Sequence, residues 1–229
     1  MIKNKIAACV LLGSLLGFTA CESKEQRKEA NNATESAPGE TKTKPTKTVL
    51  FFGDSLTAGY GLDDPASDSY PSVVQDKIKA ANLPYTVVNA GNSGETSAGG
   101  LGRIDWVLKQ KVDVFILELG ANDGLRGIPV SETTKNLQAI IKKVKAKYPE
   151  AKLIITGMQI PPSMGAAYAN DFKEIFPKLA TKNNMILVPF LLDKVGGIAK
   201  LNQADGIHPT KEGAKIVADN VWKVLQTVL

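Results

Sequence analysis

The chain of 229 residues has one histidine and two cysteines, and both cysteines, Cys9 and Cys21, lie near its N-terminus. If the segment before Cys21 is cleaved, no pair remains. That excludes an intrachain disulfide, a cysteine-rich metal site and a thiol nucleophile in the domain that follows. Charge of one sign is also scarce. The formal net charge is +5, and two of those positive charges are Lys3 and Lys5. From Glu22 to Thr46 five basic residues face five acidic ones, and the remainder has 21 basic against 18 acidic. Such a mild excess argues against a nucleic-acid partner. The basic cluster Lys142, Lys143, Lys145 and Lys147 closes a predicted helix, where cations favour the helix dipole and solvation. No internal repeat is present.

The N-terminal apolar run, Ile6 to Phe18, is too short to span a bilayer and follows two lysines, which is the layout of a secretory signal. Phe18-Thr19-Ala20-Cys21 resembles a bacterial lipobox, with phenylalanine where leucine is more usual. The resemblance implies a leader over 1–20, a lipid on Cys21, and an exported, membrane-anchored lipoprotein facing the periplasm or cell surface. An ordinary cleaved signal that ends beside a cysteine is the alternative. Residues 21–46 are polar and charged with almost no large apolar side chain, so they read as a flexible tether. Residues 47–229 are long enough for one domain with its own core, expected to act as a monomer.

Within that domain, β-rich runs at Thr48–Phe52, Tyr85–Asn89, Val112–Leu119, Lys152–Gly157 and Met185–Val188 alternate with helical periodicity. Leu137, Ile140, Ile141 and Val144 share one helical face, as do Ala214, Val217, Ala218, Val221, Leu225 and Val228. Near-continuous apolar strands separated by amphipathic helices predict an α/β fold with a parallel sheet covered on both faces. Trp106 and Trp222 fall in helical patterns and are expected to pack in the interior. In such sheets, chemistry gathers in the loops at the carboxyl ends of the strands.

The first strand runs directly into Gly53-Asp54-Ser55-Leu56-Thr57. Taken alone this is also good turn and helix-cap chemistry, and Thr57 stands where an α/β-hydrolase elbow needs its second glycine. The loop Asn89-Ala90-Gly91-Asn92-Ser93-Gly94-Glu95-Thr96 lacks both the Gly-Lys-Ser/Thr ending of a phosphate loop and the dinucleotide spacing. Its backbone can still approach a ligand at Gly94. The third strand leads into Gly120-Ala121-Asn122-Asp123-Gly124, where the Asn122 amide is a turn residue or a donor into the space beyond the sheet. Asp205-Gly206-Ile207-His208-Pro209 puts the only histidine on a loop, since Pro209 disfavours helix before it. A turn through Gly206 lets Asp205 reach the ring nitrogen facing away from a substrate and fix its tautomer. A lone histidine is commonly structural, but any serine–histidine mechanism in this chain must use His208.

FFGDSLTAGYGL, NAGNSGETSAGG, LELGANDGLRG, MQIPP and DGIHP occur in the order of the SGNH (GDSL-type) hydrolases, which the domain resembles from about Thr48 to Leu229. The branch it looks most like is the bacterial acyl-CoA thioesterase I, lysophospholipase L1 and arylesterase group. The resemblance implies a three-layer α/β/α sandwich with a five-stranded parallel sheet of flavodoxin-like type. It further implies Ser55 as nucleophile, Asp205 and His208 as its partners, and an oxyanion hole from Ser55, Gly94 and Asn122. Leu125, Arg126 and Gly127 would border the acyl pocket, and Asp54 would brace the nucleophile loop without acting chemically. No cofactor or metal is expected. The expected activity is that of an esterase or thioesterase on small acyl or aryl esters, with lysophospholipids as further expected substrates. The same residues would also serve a carbohydrate O-deacetylase or O-acetyltransferase on envelope polysaccharide. A non-catalytic binding lipoprotein is the third possibility. One departure is Ala121, where relatives often carry glycine.

Overall fold

The computed structural model describes residues 46–229; the leader at 1–20, Cys21 and all but the last residue of the tether at 21–46 lie outside the described residues. Five strands, β1 (Lys47–Gly53), β2 (Tyr85–Gly91), β3 (Val114–Glu118), β4 (Lys152–Thr156) and β5 (Ile186–Val188), form a parallel sheet in the order β2-β1-β3-β4-β5. All five coincide with the predicted runs to within two residues at each end. The third is shorter than its run at both ends: its pairing with β1 starts only at Val114, and Gly120, with a left-handed backbone at φ +119°, ends the extended stretch. A central strand has apolar neighbours above and below it, and Val49 to Phe52 and Phe115 to Leu117 are fully buried.

The chain crosses one way from β1 to β2 and the other way from β2 through β3 and β4 to β5. Right-handed crossovers therefore place the connecting helices on opposite faces. Helix α3 (Tyr70–Ala80) packs with the last helix, α9 (Lys211–Leu225). Between α3 and α9 in sequence, α4 (Ser97–Val107) packs with α6 (Val130–Lys147), and α6 in turn with α7 (Ala166–Lys173) and α8 (Ile175–Asn183). Three short helices, α1 (Ser55–Ala58), α2 (Pro65–Asp68) and α5 (Ala121–Leu125), sit in the strand-end loops. The predicted helix stripes are buried as expected: Leu137, Ile140, Ile141 and Val144 are fully inaccessible, and Val217 to Leu225 line α9's inner face. Val228 lies past the end of α9 but still packs against the core.

One packing expectation fails. Trp106 is 69% exposed, whereas Trp222 does pack against the core. The buried stripe of α4 runs through Gly100, Ile104 and Val107. Trp106 lies two residues from Ile104, about 200° around the helix, and so points away. A helical pattern alone cannot tell which arc meets the sheet.

Because β1 lies between β2 and β3, the carboxyl ends of these three strands flank the crevice where chain direction reverses across the sheet. That crevice is the usual ligand position in open α/β sheets.

Candidate active site

Ser55 opens α1 directly after β1. Asp54 caps that helix, its Oδ1 accepting the Leu56 N–H at 3.0 Å. The turn needs glycine at 53 because a Cβ there would sit 2.1 Å from Thr57 Oγ1 and 2.4 Å from Glu118 Oε2. His208 reaches Ser55 from 153 residues away: its Nε2 is 2.9 Å from Ser55 Oγ. Its Nδ1 is 2.7 Å from Asp205 Oδ2, while Asp205 Oδ1 accepts the N–H groups of Ile207 and His208, each at 3.0 Å. Desolvation opposes ionisation of Asp205. The His208 ring and these two N–H groups outweigh it and hold the carboxyl down at about 2. The His208 loop is pinned to the segment after Ser55 by Gln203, whose Nε2 donates to Tyr60 O at 2.8 Å and Pro209 O at 3.0 Å. The Tyr60 ring lies 4.8 Å from the imidazole.

The other two loops converge on the same place. Gly94 has φ +78°, a backbone that favours glycine, and Asn122 lies in α5 after β3. Ser55, Gly94, Asn122, Asp205, His208 and Leu125 all line one cavity of about 820 Å³. Much of its lining is apolar, with Met158, Ile160, Pro161, Pro162, Phe190 and Leu192 among the contributors. Among the described residues, neither the Ser55 N–H nor the Gly94 N–H donates to a protein acceptor. The Asn122 amide is engaged, donating to Asp54 Oδ2 at 3.0 Å and Glu95 O at 3.1 Å. Leu125 is on the wall and 38% exposed, but Arg126 and Gly127 are not among the lining residues. Arg126 instead donates to Gly94 O at 3.0 Å. Ala121 begins α5, and the left-handed position belongs to Gly120, so alanine at 121 requires no unusual backbone.

Sequence reasoning missed the framework beneath these loops. Arg103 from α4 donates through Nε to Glu95 at 2.6 and 2.8 Å, and through Nη2 to Glu95, to Ala90 O at 2.8 Å and to Gly53 O at 3.2 Å. Its guanidinium stacks 4.2 Å over the Phe52 ring. Asp123, fully buried, accepts from Ser97 N at 2.7 Å, from the Ser97 hydroxyl and from Thr133 Oγ1 at 3.2 Å, joining the loop after β2 to the loop after β3. Asp54 is buried within the Ser55 turn, and Glu118 is buried against it. Burial pushes Asp54 up to about 6, against the Leu56 N–H, Glu118, Asn122 and the charge of His208. Burial, and then the charge of Asp54, raise Glu118 well above the carboxylate range. The available signal was a glutamate closing an otherwise apolar strand. Among the described residues no group of three His, Cys, Asp or Glu side chains is placed to hold a metal ion, and no helix is long and apolar enough to cross a membrane.

Residues 51–216 match the model of the GDSL-like Lipase/Acylhydrolase family. The chain belongs to that family. This GDSL-type hydrolase is 37% identical over 190 residues to Esterase TesA of Pseudomonas aeruginosa, covering 82% of this chain and 92% of that one. It is 38% identical over 183 residues to Thioesterase 1/protease 1/lysophospholipase L1 of Escherichia coli (strain K12), covering 80% of this chain and 85% of the relative. The psychrotrophic esterase EstA from Pseudoalteromonas sp., solved in a form inhibited by monoethylphosphonate, superposes with a TM-score of 0.74 at 35% identity, over 79% of this chain and 97% of EstA. The GDSL-type fold seen here, a five-stranded parallel sheet between helices, is that of these enzymes. The protein is accordingly an enzyme of the GDSL-type hydrolases, acting on ester bonds.

Proposed function

We propose that this enzyme hydrolyses carboxylic acyl and aryl esters, with lysophospholipids among its substrates, through an acyl-enzyme on Ser55. The observation that carries this reading is the hydrogen-bonded chain from Ser55 Oγ through His208 to Asp205 at the wall of a large apolar cavity. His208 Nε2 takes the Ser55 proton as Oγ attacks the acyl carbonyl, and Asp205 stabilises the imidazolium that forms. The developing oxyanion receives the Ser55 and Gly94 N–H groups and the Asn122 amide. Asn122 shares or exchanges one of its present acceptors as the oxyanion forms. The imidazolium then protonates the leaving alcohol, and water, activated by the same base, releases the acid. The inhibition of the similar esterase EstA by monoethylphosphonate fits a serine nucleophile.

The apolar wall favours an acyl chain over a sugar acetyl group. A p-nitrophenyl ester series from acetate to dodecanoate tests this: activity is expected to persist or rise beyond acetate. A sharp optimum at acetate would support the O-deacetylase reading instead. Ser55→Ala with wild-type activity would refute the mechanism. For localisation, we propose a leader at 1–20, a lipid on Cys21 and a tether to residue 46, presenting a monomeric domain from the membrane surface toward periplasm or exterior. Support comes from the order of lysines, apolar run and Phe18-Thr19-Ala20-Cys21. Palmitate labelling that survives Cys21→Ala would overturn it.

A further inference from the structure

Glu118 takes no part in the chemistry proposed above, yet its carboxyl forms the floor of the nucleophile turn. It ends β3 level with Gly53 of β1 and is 1% exposed. Its Oε2 accepts the Asp54 N–H at 3.1 Å and the Thr57 hydroxyl at 2.8 Å. Thr57 Oγ1 also lies 2.8 Å from the Tyr70 hydroxyl. The single Thr57 proton is committed to Glu118, so Tyr70 is the donor in that contact. Tyr70 therefore donates to Thr57, and Thr57 and the Asp54 N–H both donate to one carboxyl oxygen. These groups grip the chain one residue before Ser55 and two residues after it.

We propose that Glu118 is a positioning residue for hydrolysis: it holds the backbone on both sides of Ser55, keeping the hydroxyl in line with His208 and the N–H turned toward the acyl oxygen. This rests on Ser55 being the nucleophile. The close fit at Gly53, where any Cβ would strike both Glu118 and Thr57, shows how tightly the turn is moulded on this carboxyl.

The form of the acid follows from its two oxygens. Oε1 is buried and has no hydrogen-bond partner among the described residues. An ionised carboxylate with one bare oxygen, next to the buried carboxyl of Asp54, is strongly disfavoured in such a place. A proton on Oε1 removes the charge and leaves Oε2 as the acceptor of both donors. Burial and the charge of Asp54 push Glu118 in that direction. Glutamine reproduces this arrangement, with its carbonyl oxygen in place of Oε2 and its amide nitrogen in place of the protonated oxygen. Alanine reproduces none of it.

The test compares Glu118→Gln, Glu118→Ala and Thr57→Val in the full chain, on p-nitrophenyl butyrate, well below each variant's melting temperature. Glu118→Gln is expected to keep kcat within about threefold of wild type, since both accepted hydrogen bonds survive. Glu118→Ala is expected to lower kcat about 100-fold, the scale of a misplaced oxyanion donor, with KM little changed. Thr57→Val, which stays measurable should the alanine variant fail to fold, is expected to lose about fivefold to tenfold in kcat. Wild-type kcat per folded molecule in Glu118→Ala or Thr57→Val would overturn the inference, because a purely structural role lowers only the melting temperature. A glutamine variant as damaged as the alanine one would also overturn it, by showing that the charge is needed. Fluorophosphonate labelling separates the two levels. Wild type that does not label at Ser55 removes the nucleophile assignment and this inference with it. Wild type that labels at Ser55, with Glu118→Ala labelling equally fast, refutes the role of Glu118 alone.

Discussion

Replacing Arg103 by methionine tests whether the loop framework is held as described. The Arg103 side chain is 23% exposed and that of Glu95 3% exposed, so removing the guanidinium leaves a nearly buried carboxylate without its cation. Ala90 O and Gly53 O lose a donor in the same step. Breaking a buried ion pair from one side costs about 3–5 kcal/mol, and the partial exposure of Arg103 places this variant near the lower end. Against a domain stability on the order of 5–15 kcal/mol, this would be a large fraction. For a domain of this size the melting temperature should fall by about 6–12 °C. The assay is urea unfolding at neutral pH followed by far-ultraviolet circular dichroism, with Glu95→Gln/Arg103→Met run beside the single variant. Neutralising Glu95 removes the stranded charge, so the double variant should recover about 1–2 kcal/mol. Glu95 O accepts from Asn122 and Glu95 adjoins Gly94, so kcat should fall along with stability. A loss below about 1 kcal/mol for Arg103→Met, the range of an exposed pair, would refute the reasoning. So would a double variant no better than the single one.

Asn122→Ala should retain measurable turnover but lose about 10²–10³ in kcat, while Ser55→Ala and His208→Ala should fall about 10⁶-fold, all read on p-nitrophenyl butyrate. The raised Asp54 pKa, about 6 against an ordinary 3.8, carries a sign: the folded chain keeps a proton that the unfolded chain releases. Its contribution to stability is therefore greatest below about pH 4 and is lost as pH rises toward and past 6, by at most about 3 kcal/mol. Stability–pH curves for wild type and Asp54→Asn should converge or diverge across that window; parallel curves would contradict the assignment. Trp106→Gln should change stability by no more than about 0.5 kcal/mol, since the ring lies outside the core. A core-sized loss in urea unfolding would restore the packing expectation.

Five strands, the long helices α6 and α9, and the candidate residues Ser55, Gly94, Asn122, Asp205 and His208 were legible from the sequence. Strand runs and helical stripes are repeated local patterns, and hydrophobic burial acts on them wherever they occur. Gly94, Asn122 and Asp205 stood out through the resemblance of their segments to GDSL-type motifs, and the pairing of Ser55 with His208 also by elimination: one histidine, no cysteine after position 21 and no nucleotide loop. Other features depended on which segments meet in space. Trp106 and Ile104 share one helix, and only the packing of α4 decided that Ile104 faces the sheet. Glu118 looked like a strand end until it lay beneath Asp54, 64 residues earlier in the chain. The engagement of Asn122 with Asp54, and of Arg103 with Gly53 and Ala90, spans loops that no local pattern connects. Residue type and periodicity thus determined the strands, the principal helices and the residues available for chemistry. Tertiary structure decided which polar groups lost water and which partners replaced it, because a buried hydrogen bond depends on distance and orientation in space, and sequence separation carries neither.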